Sequence, residues 1–191
     1  LDPRPIWKEL DPDEVTDIFG EWFEVHNTTG DAVEMLGWTF SDNGTDSFTV
    51  GSSVVVPAGG YAVLGRNADS ATNGSYDPDY EYGNVFQLGN VDDEVVMTAS
   101  DGVEIARIEY DGGPNFVDPT GASLSLDPDF TNSTDAVDGQ WWCAAESPYG
   151  LGDLGTPGAA NDECSDLDGD GDPELTDCAP LDPTIYTGAP E

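Results

Sequence analysis

Residues 94–110 run Glu94-Val95-Val96-Met97-Thr98-Ala99-Ser100-Asp101-Gly102-Val103-Glu104-Ile105-Ala106-Arg107-Ile108-Glu109-Tyr110, two strand-like runs on either side of a Ser-Asp-Gly turn. Such a turn between apolar-patterned runs signals a hairpin, because Asp and Gly accept the backbone angles that reverse the chain. In the second run Ile105, Arg107 and Glu109 alternate with Ala106, Ile108 and Tyr110. A period of two puts one set on a core and leaves the other wet.

The same pattern spreads outward in both directions. Short runs bounded by Gly, Pro, Asn or Asp occur at 6–10, 21–27, 34–40, 47–50, 61–65, 85–88 and 122–126, with no helical periodicity between them. Within 34–40 the alternation predicts Leu36, Trp38 and Phe40 on one side; within 21–27 it sets Phe23 and Val25 against Trp22, Glu24 and His26. Half-wetted strands of this kind pack as two sheets, so the expectation is an all-β sandwich. Pro57-Ala58-Gly59-Gly60 reads as a tight turn into 61–65, while 67–84 and 127–139 read as loops. Tyr76, Tyr80 and Tyr82 in the first loop are candidates for a binding platform. Past Gly155-Thr156-Pro157-Gly158 the apolar pattern stops, which predicts a sandwich over 1–161 and an Asp-rich tail over 162–191.

Charge narrows the function. In 191 residues, 40 Asp and Glu face 4 Lys and Arg, a net charge of −36, so nucleic acid and anionic membranes are repelled. Hydrophobic residues at 37% and aromatics at 10% argue against a disordered acidic chain. No run reaches the roughly 18 apolar residues of a membrane span. The sequence begins with Leu and carries no leader pattern, which leads to the expectation that any signal peptide has been removed. High salt or calcium outside a cell would screen this self-repulsion, and with three cysteines the expected location is extracellular or at the cell surface.

One segment carries metal chemistry. Asp166-Leu167-Asp168-Gly169-Asp170-Gly171-Asp172-Pro173-Glu174-Leu175-Thr176-Asp177 fits D-x-D-x-D-G with a carboxylate at the twelfth position. Alternate residues of a curled loop turn their oxygens inward, Gly171 permits the sharp turn, and the last carboxylate closes the shell. Oxygen ligands select a hard cation, so Ca2+ is expected on Asp166, Asp168, Asp170, Asp172 and Asp177, with Asp182 as a further candidate.

Several phrases resemble the lamin tail domain. They are Gly20-Glu21-Trp22-Phe23-Glu24-Val25-His26-Asn27, Leu36-Gly37-Trp38-Thr39-Phe40-Ser41-Asp42, Val56-Pro57-Ala58-Gly59-Gly60-Tyr61-Ala62-Val63-Leu64, Leu88-Gly89-Asn90 with Asp92-Asp93-Glu94-Val95, and Gly155-Thr156-Pro157-Gly158-Ala159-Ala160-Asn161. The resemblance implies an immunoglobulin-like β-sandwich that acts by contact rather than catalysis, as in the family's bacterial secreted and surface members. The acidic segment, with Cys178, Leu181-Asp182-Pro183 and Tyr186-Thr187-Gly188-Ala189-Pro190-Glu191, resembles thrombospondin type 3 and bacterial surface metal-binding repeats. Such repeats continue with another cysteine, which implies a truncated repeat and an outside partner for Cys178. That favours a Cys143–Cys164 bridge, with 164–178 as the alternative.

Sequons at Asn27, Asn43, Asn73 and Asn132 are candidate glycosylation sites, the last three expected in loops. His26 is the only histidine, and no nucleophile turn or phosphate loop accompanies it, so an enzyme is not expected. Arg66 and Arg107 are expected as partners of nearby carboxylates. The resulting expectation is a calcium-stabilised structural or adhesive module whose partners are other surface proteins or identical subunits. The alternatives are an accessory domain of a secreted hydrolase that holds polysaccharide or another polymer, and a self-assembling extracellular filament subunit.

Overall fold

A computed structural model describes residues 2–4, 17–89, 91–113, 115–119 and 121–164. The strands are β1 (Asp2–Arg4), β2 (Trp22–His26), β3 (Val33–Glu34), β4 (Thr39–Ser41), β5 (Ser47–Thr49), β6 (Val55–Val56), β7 (Tyr61–Gly65), β8 (Tyr80–Glu81), β9 (Asp93–Thr98), β10 (Glu104–Tyr110), β11 (Leu124–Leu126), β12 (Trp142–Ala144), β13 (Pro148–Tyr149) and β14 (Asp153–Leu154). Helix is confined to one turn at Asp17–Gly20 and three short 3-10 turns among the described residues. The all-β class expected from the sequence is the observed one.

One sheet has the order β1-β2-β7-β8 and the other β10-β9-β4-β5. Phe23 and Val25 of β2 and Ala62 and Leu64 of β7 meet Phe40, Phe48, Val95 and Met97 across the core, with Tyr82 and Phe86 filling between. The aromatic rings touch directly: Phe23 lies 5.1 Å from Phe40, and Phe48 stacks 5.1 Å from Tyr82. Burying a side chain of this size contributes about 1.5–3 kcal/mol each, so the core is well able to hold two short sheets together.

The β9–β10 hairpin forms at the expected turn, with a register shift between Glu104 and Ala106. That bulge leaves Ile105 half exposed while Ile108 and Tyr110 still point inward. Elsewhere the strand reading needs correction. The run at 34–40 is broken, because Gly37 sits at φ +82, a left-handed conformation that bends the chain between β3 and β4. Met35 therefore enters the core and Leu36 is half exposed. Residues 85–88 are not a strand; a 3-10 turn at Gly83–Val85 leads into a coil that buries Phe86 and Leu88. The expected strand at 6–10 lies outside the described residues.

The first sheet is covered on both faces. Trp22 and Glu24, on the face opposite Phe23, are as buried as it is. Trp22, Val63 and Tyr76 form a second packing layer, closed by Tyr149. Tyr76 fits there because Gly65 has no side chain: a Cβ at that position would lie 2.7 Å from the Tyr76 ring. The 67–84 loop therefore packs on the sheet, and β8 within it runs parallel to β7. A further cluster of Ile108, Tyr110, Phe116, Leu124, Leu126, Ala136 and Trp142 joins β10 to the β11–β12 hairpin.

Candidate functional site

The C-terminal strap is where the sequence places most of its candidate residues. Cys143 sits opposite Ser125 in the β11–β12 pair and is joined to Cys164 by a disulfide with Cα atoms 5.7 Å apart. Cys164 is buried, and its N–H donates to Asp127 Oδ2 at 2.9 Å, while Asp127 Oδ1 accepts the N–H of Asp129 at 2.9 Å. Asp162 accepts the N–H groups of Glu146 and Ser147 at 3.0 and 2.7 Å and the Ser147 hydroxyl at 2.7 Å. Asn161 Nδ2 donates to Leu126 O at 2.8 Å, and the N–H of Gly158 donates to the buried Glu24 carboxylate. The chain thus stays fixed to the sandwich through Cys164, past Asn161. Asp166, Asp168, Asp170, Asp172, Asp177, Asp182 and Cys178 lie outside the described residues.

Two of the four sequons are internal. Asn27 is buried at the end of β2, and its Nδ2 donates to Asp31 O at 2.8 Å and to Val56 O and Pro57 O at 3.0 Å. Its Oδ1 accepts the N–H and hydroxyl of Thr29. Asn73 is fully buried and donates to Asn67 O and Tyr76 O. A nitrogen enclosed in this way cannot carry a glycan in the folded chain, so Asn27 and Asn73 drop out as surface sites. Asn43 and Asn132 are exposed.

The three loop tyrosines do not form an exposed platform: Tyr80 is half-buried and stacked on Phe48 with ring centroids 5.7 Å apart, its hydroxyl donating to Thr49 O at 3.2 Å. Tyr76 and Tyr82 are buried, their hydroxyls donating to Glu21 O and the Glu21 carboxylate respectively, both at 2.9 Å. Burial first, and the negative Glu21 second, push the Tyr82 phenol well above its ordinary value. Burial likewise raises Tyr76 and Tyr110, the latter donating to Gly89 O at 2.6 Å.

His26 stacks on Tyr61 with ring centroids 4.5 Å apart, and burial lowers its affinity for a proton. Arg66 pairs with Glu21 at 3.4 Å, both side chains largely buried. Arg107 pairs with Glu104 and Glu109 at 3.0 and 3.2 Å.

A groove of about 790 Å³ between β9, β10 and the 111–139 segment is lined by acids including Asp93, Asp111 and Asp138. These acids hold backbone. Asp111 caps Phe116, Asn115 and Gly113, contacts that keep its carboxyl below the usual range, and Asp138 accepts the N–H of Gln140. Asp93 accepts the N–H groups of Gly89 and Glu94, yet burial raises it. Among the described residues no group of three or more His, Cys, Asp or Glu converges to hold a metal ion.

Comparison with known proteins decides the family. The model of the lamin tail domain matches residues 6–112, more than half of the chain. The chain belongs to the lamin tail domain family. The match covers the described strands from β2 to β10, so the two-layer sandwich is the immunoglobulin-like lamin tail fold, a fold of non-catalytic type. The packing of 115–164 onto that fold lies beyond the matched residues. No curated protein matches the chain. No helix among the described residues is long and apolar enough to cross a membrane.

Proposed function

We propose that this lamin tail domain is a non-catalytic, extracellular structural or adhesive module of a surface protein, stabilised by Ca2+ bound in its acidic C-terminal segment. The observation that carries the reading is the disulfide that pins Cys164 to Cys143 two residues before the Asp166–Asp177 motif. A bridge of this kind suits an oxidising compartment. It gives the acidic segment a fixed point of attachment, so an ion bound by Asp166, Asp168, Asp170, Asp172 and Asp177, with Asp182 in reach along the chain, orders that segment relative to the sandwich. The segment reads as an Asp-rich repeat of the bacterial surface type, and its partners as other surface modules or identical subunits.

Carboxylates spent on backbone support the non-catalytic part. The buried Glu24 and Asp127 and the half-buried Asp162 accept backbone N–H groups, and the lone histidine is stacked on an aromatic ring. A group held in this way is positioned to stabilise the fold rather than to move protons.

Limited proteolysis tests the proposal. In millimolar Ca2+ residues 165–191 are expected to resist cutting, and EDTA or Asp170→Ala is expected to open them while the sandwich stays intact. Equal cutting in Ca2+ and EDTA contradicts the reading.

A further inference from the structure

The sequence contains two Asn-Gly steps, Asn43-Gly44 and Asn73-Gly74. In such a step the glycine nitrogen can attack the asparagine side-chain carbonyl, because no Cβ hinders the approach or restricts the backbone. The fold puts the two steps in opposite surroundings. Asn73 is buried, with Nδ2 bonded to two carbonyls and Oδ1 accepting the N–H of Ser75 at 3.0 Å, so its carboxamide is held at both ends.

Asn43, Gly44 and Thr45 form the exposed tip of the β4–β5 turn. Asn43 Oδ1 accepts a 2.8 Å hydrogen bond from Arg107 Nη1. Arg107 is itself held by Glu104, whose two oxygens take Nε and Nη2 at 3.0 Å each. This two-point clamp, with Glu109 Oε1 accepting from Nη1 at 3.2 Å, fixes the guanidinium so that Nη1 also reaches Asn43. We propose that Asn43 is a site of spontaneous deamidation, its side-chain carbonyl polarised by the Arg107 guanidinium.

The chemistry balances with water alone. The Gly44 nitrogen gives its proton to solvent and bonds to Asn43 Cγ, and the charge that develops on Oδ1 meets the Arg107 N–H, a fixed donor aimed at an oxyanion. The Cγ–Nδ2 bond breaks, and Nδ2 leaves as ammonia after taking a proton from solvent. Water then opens the cyclic imide at either carbonyl to give Asp or isoaspartate at position 43.

The product changes the hairpin. A carboxylate at position 43 pairs with Arg107 but stands among Asp42, Asp46 and Glu94, the last of which accepts the Asn43 N–H. Isoaspartate also lengthens the backbone of a turn closed by Asp42 N–H to Asp46 O at 3.1 Å and Asp46 N–H to Asp42 Oδ1 at 3.0 Å.

The test incubates the full chain at mildly alkaline pH and follows both steps by peptide mass mapping. Asn43 is expected to convert roughly tenfold or more faster than Asn73, since Asn73 reacts only when its surroundings open, and urea is expected to bring the rates together. Arg107→Ala should slow Asn43 several-fold, and Gly44→Ala should suppress conversion. Comparable rates at Asn43 and Asn73 in the folded chain overturn the site. An unchanged or faster rate in Arg107→Ala overturns the part assigned to the guanidinium.

Discussion

The indole N–H of Trp22 donates a 3.0 Å hydrogen bond to the phenolic oxygen of Tyr149, across 127 positions of sequence. The rings meet edge to face with centroids 6.0 Å apart. Trp22 lies inside the family-matched region and Tyr149 beyond it, so the outer face of the first sheet is finished by a segment the family pattern does not include. Ile108 and Tyr110 at the end of β10 depend in the same way on Leu124, Leu126 and Trp142.

Ending the chain at residue 112 should therefore leave apolar surface that no element covers. A 1–112 fragment is expected to lose the cooperative thermal transition that a 1–164 fragment keeps, and Trp22→Ala in the full chain should cost about 3–5 kcal/mol in urea unfolding. Equal melting temperatures for the two fragments would show that the C-terminal segment is an ornament.

The disulfide closes a loop with a sequence separation of 21. Loop-closure entropy of this size corresponds to about 3 kcal/mol at 25 °C. Cys143→Ser with Cys164→Ser is expected to lower the urea-unfolding free energy by that order, and non-reducing mass mapping should recover a peptide pair joining Cys143 to Cys164.

Asn27 ties the end of β2 to the end of β6 by donating to the carbonyls of Val56 and Pro57 and to that of Asp31. Asn27→Ala leaves buried carbonyls unsatisfied and should cost about 2–3 kcal/mol. Asn27→Asp, which also faces those carbonyls with a negative charge, should cost more, whereas Asn43→Asp at the exposed turn should cost far less. Similar losses at the two positions would remove the structural role assigned to Asn27.

The buried phenols set an alkaline limit. Tyr76, Tyr82 and Tyr110 are raised in the folded chain, chiefly by burial. The neutral phenol is the folded form, so its contribution is fully present below the unfolded value near 10 and is lost as pH rises above it, at about 1.4 kcal/mol per pH unit per phenol. Phenolate absorbance should show these three titrating only with unfolding. Smooth ionisation of all seven tyrosines near pH 10 in a folded chain would contradict their burial.

β7 and β10 have the bounds expected from the sequence, because each is a run of strand-forming residues entered from a Gly-containing turn, although β7 is buried on both faces and β10 carries a bulge. Local pattern fails where one backbone angle or one long-range contact decides. Gly37 splits an apparent strand, and the inward turn of Tyr76 and Tyr82 depends on Gly65 and Glu21, which are far away in sequence. The 115–164 segment was the least legible part, since its turns are closed by Asp and Asn side chains bonding to backbone rather than by a periodic ladder. Carboxylates that composition presents as solvated charge are acceptors for backbone N–H groups, Asp127 in the interior and Asp162 at its margin. Exposure at the sequons was likewise invisible locally: Asn43 and Asn73 sit in the same Asn-Gly-Ser/Thr context and differ only in what folds over them.

Calorimetric titration of the full chain with Ca2+ bears most directly on the functional reading. Saturable binding is expected, lost on replacing Asp168 and Asp170 by Ala, with a rise in melting temperature that follows the same saturation. A flat titration up to millimolar Ca2+, with an unchanged melting temperature, would contradict it.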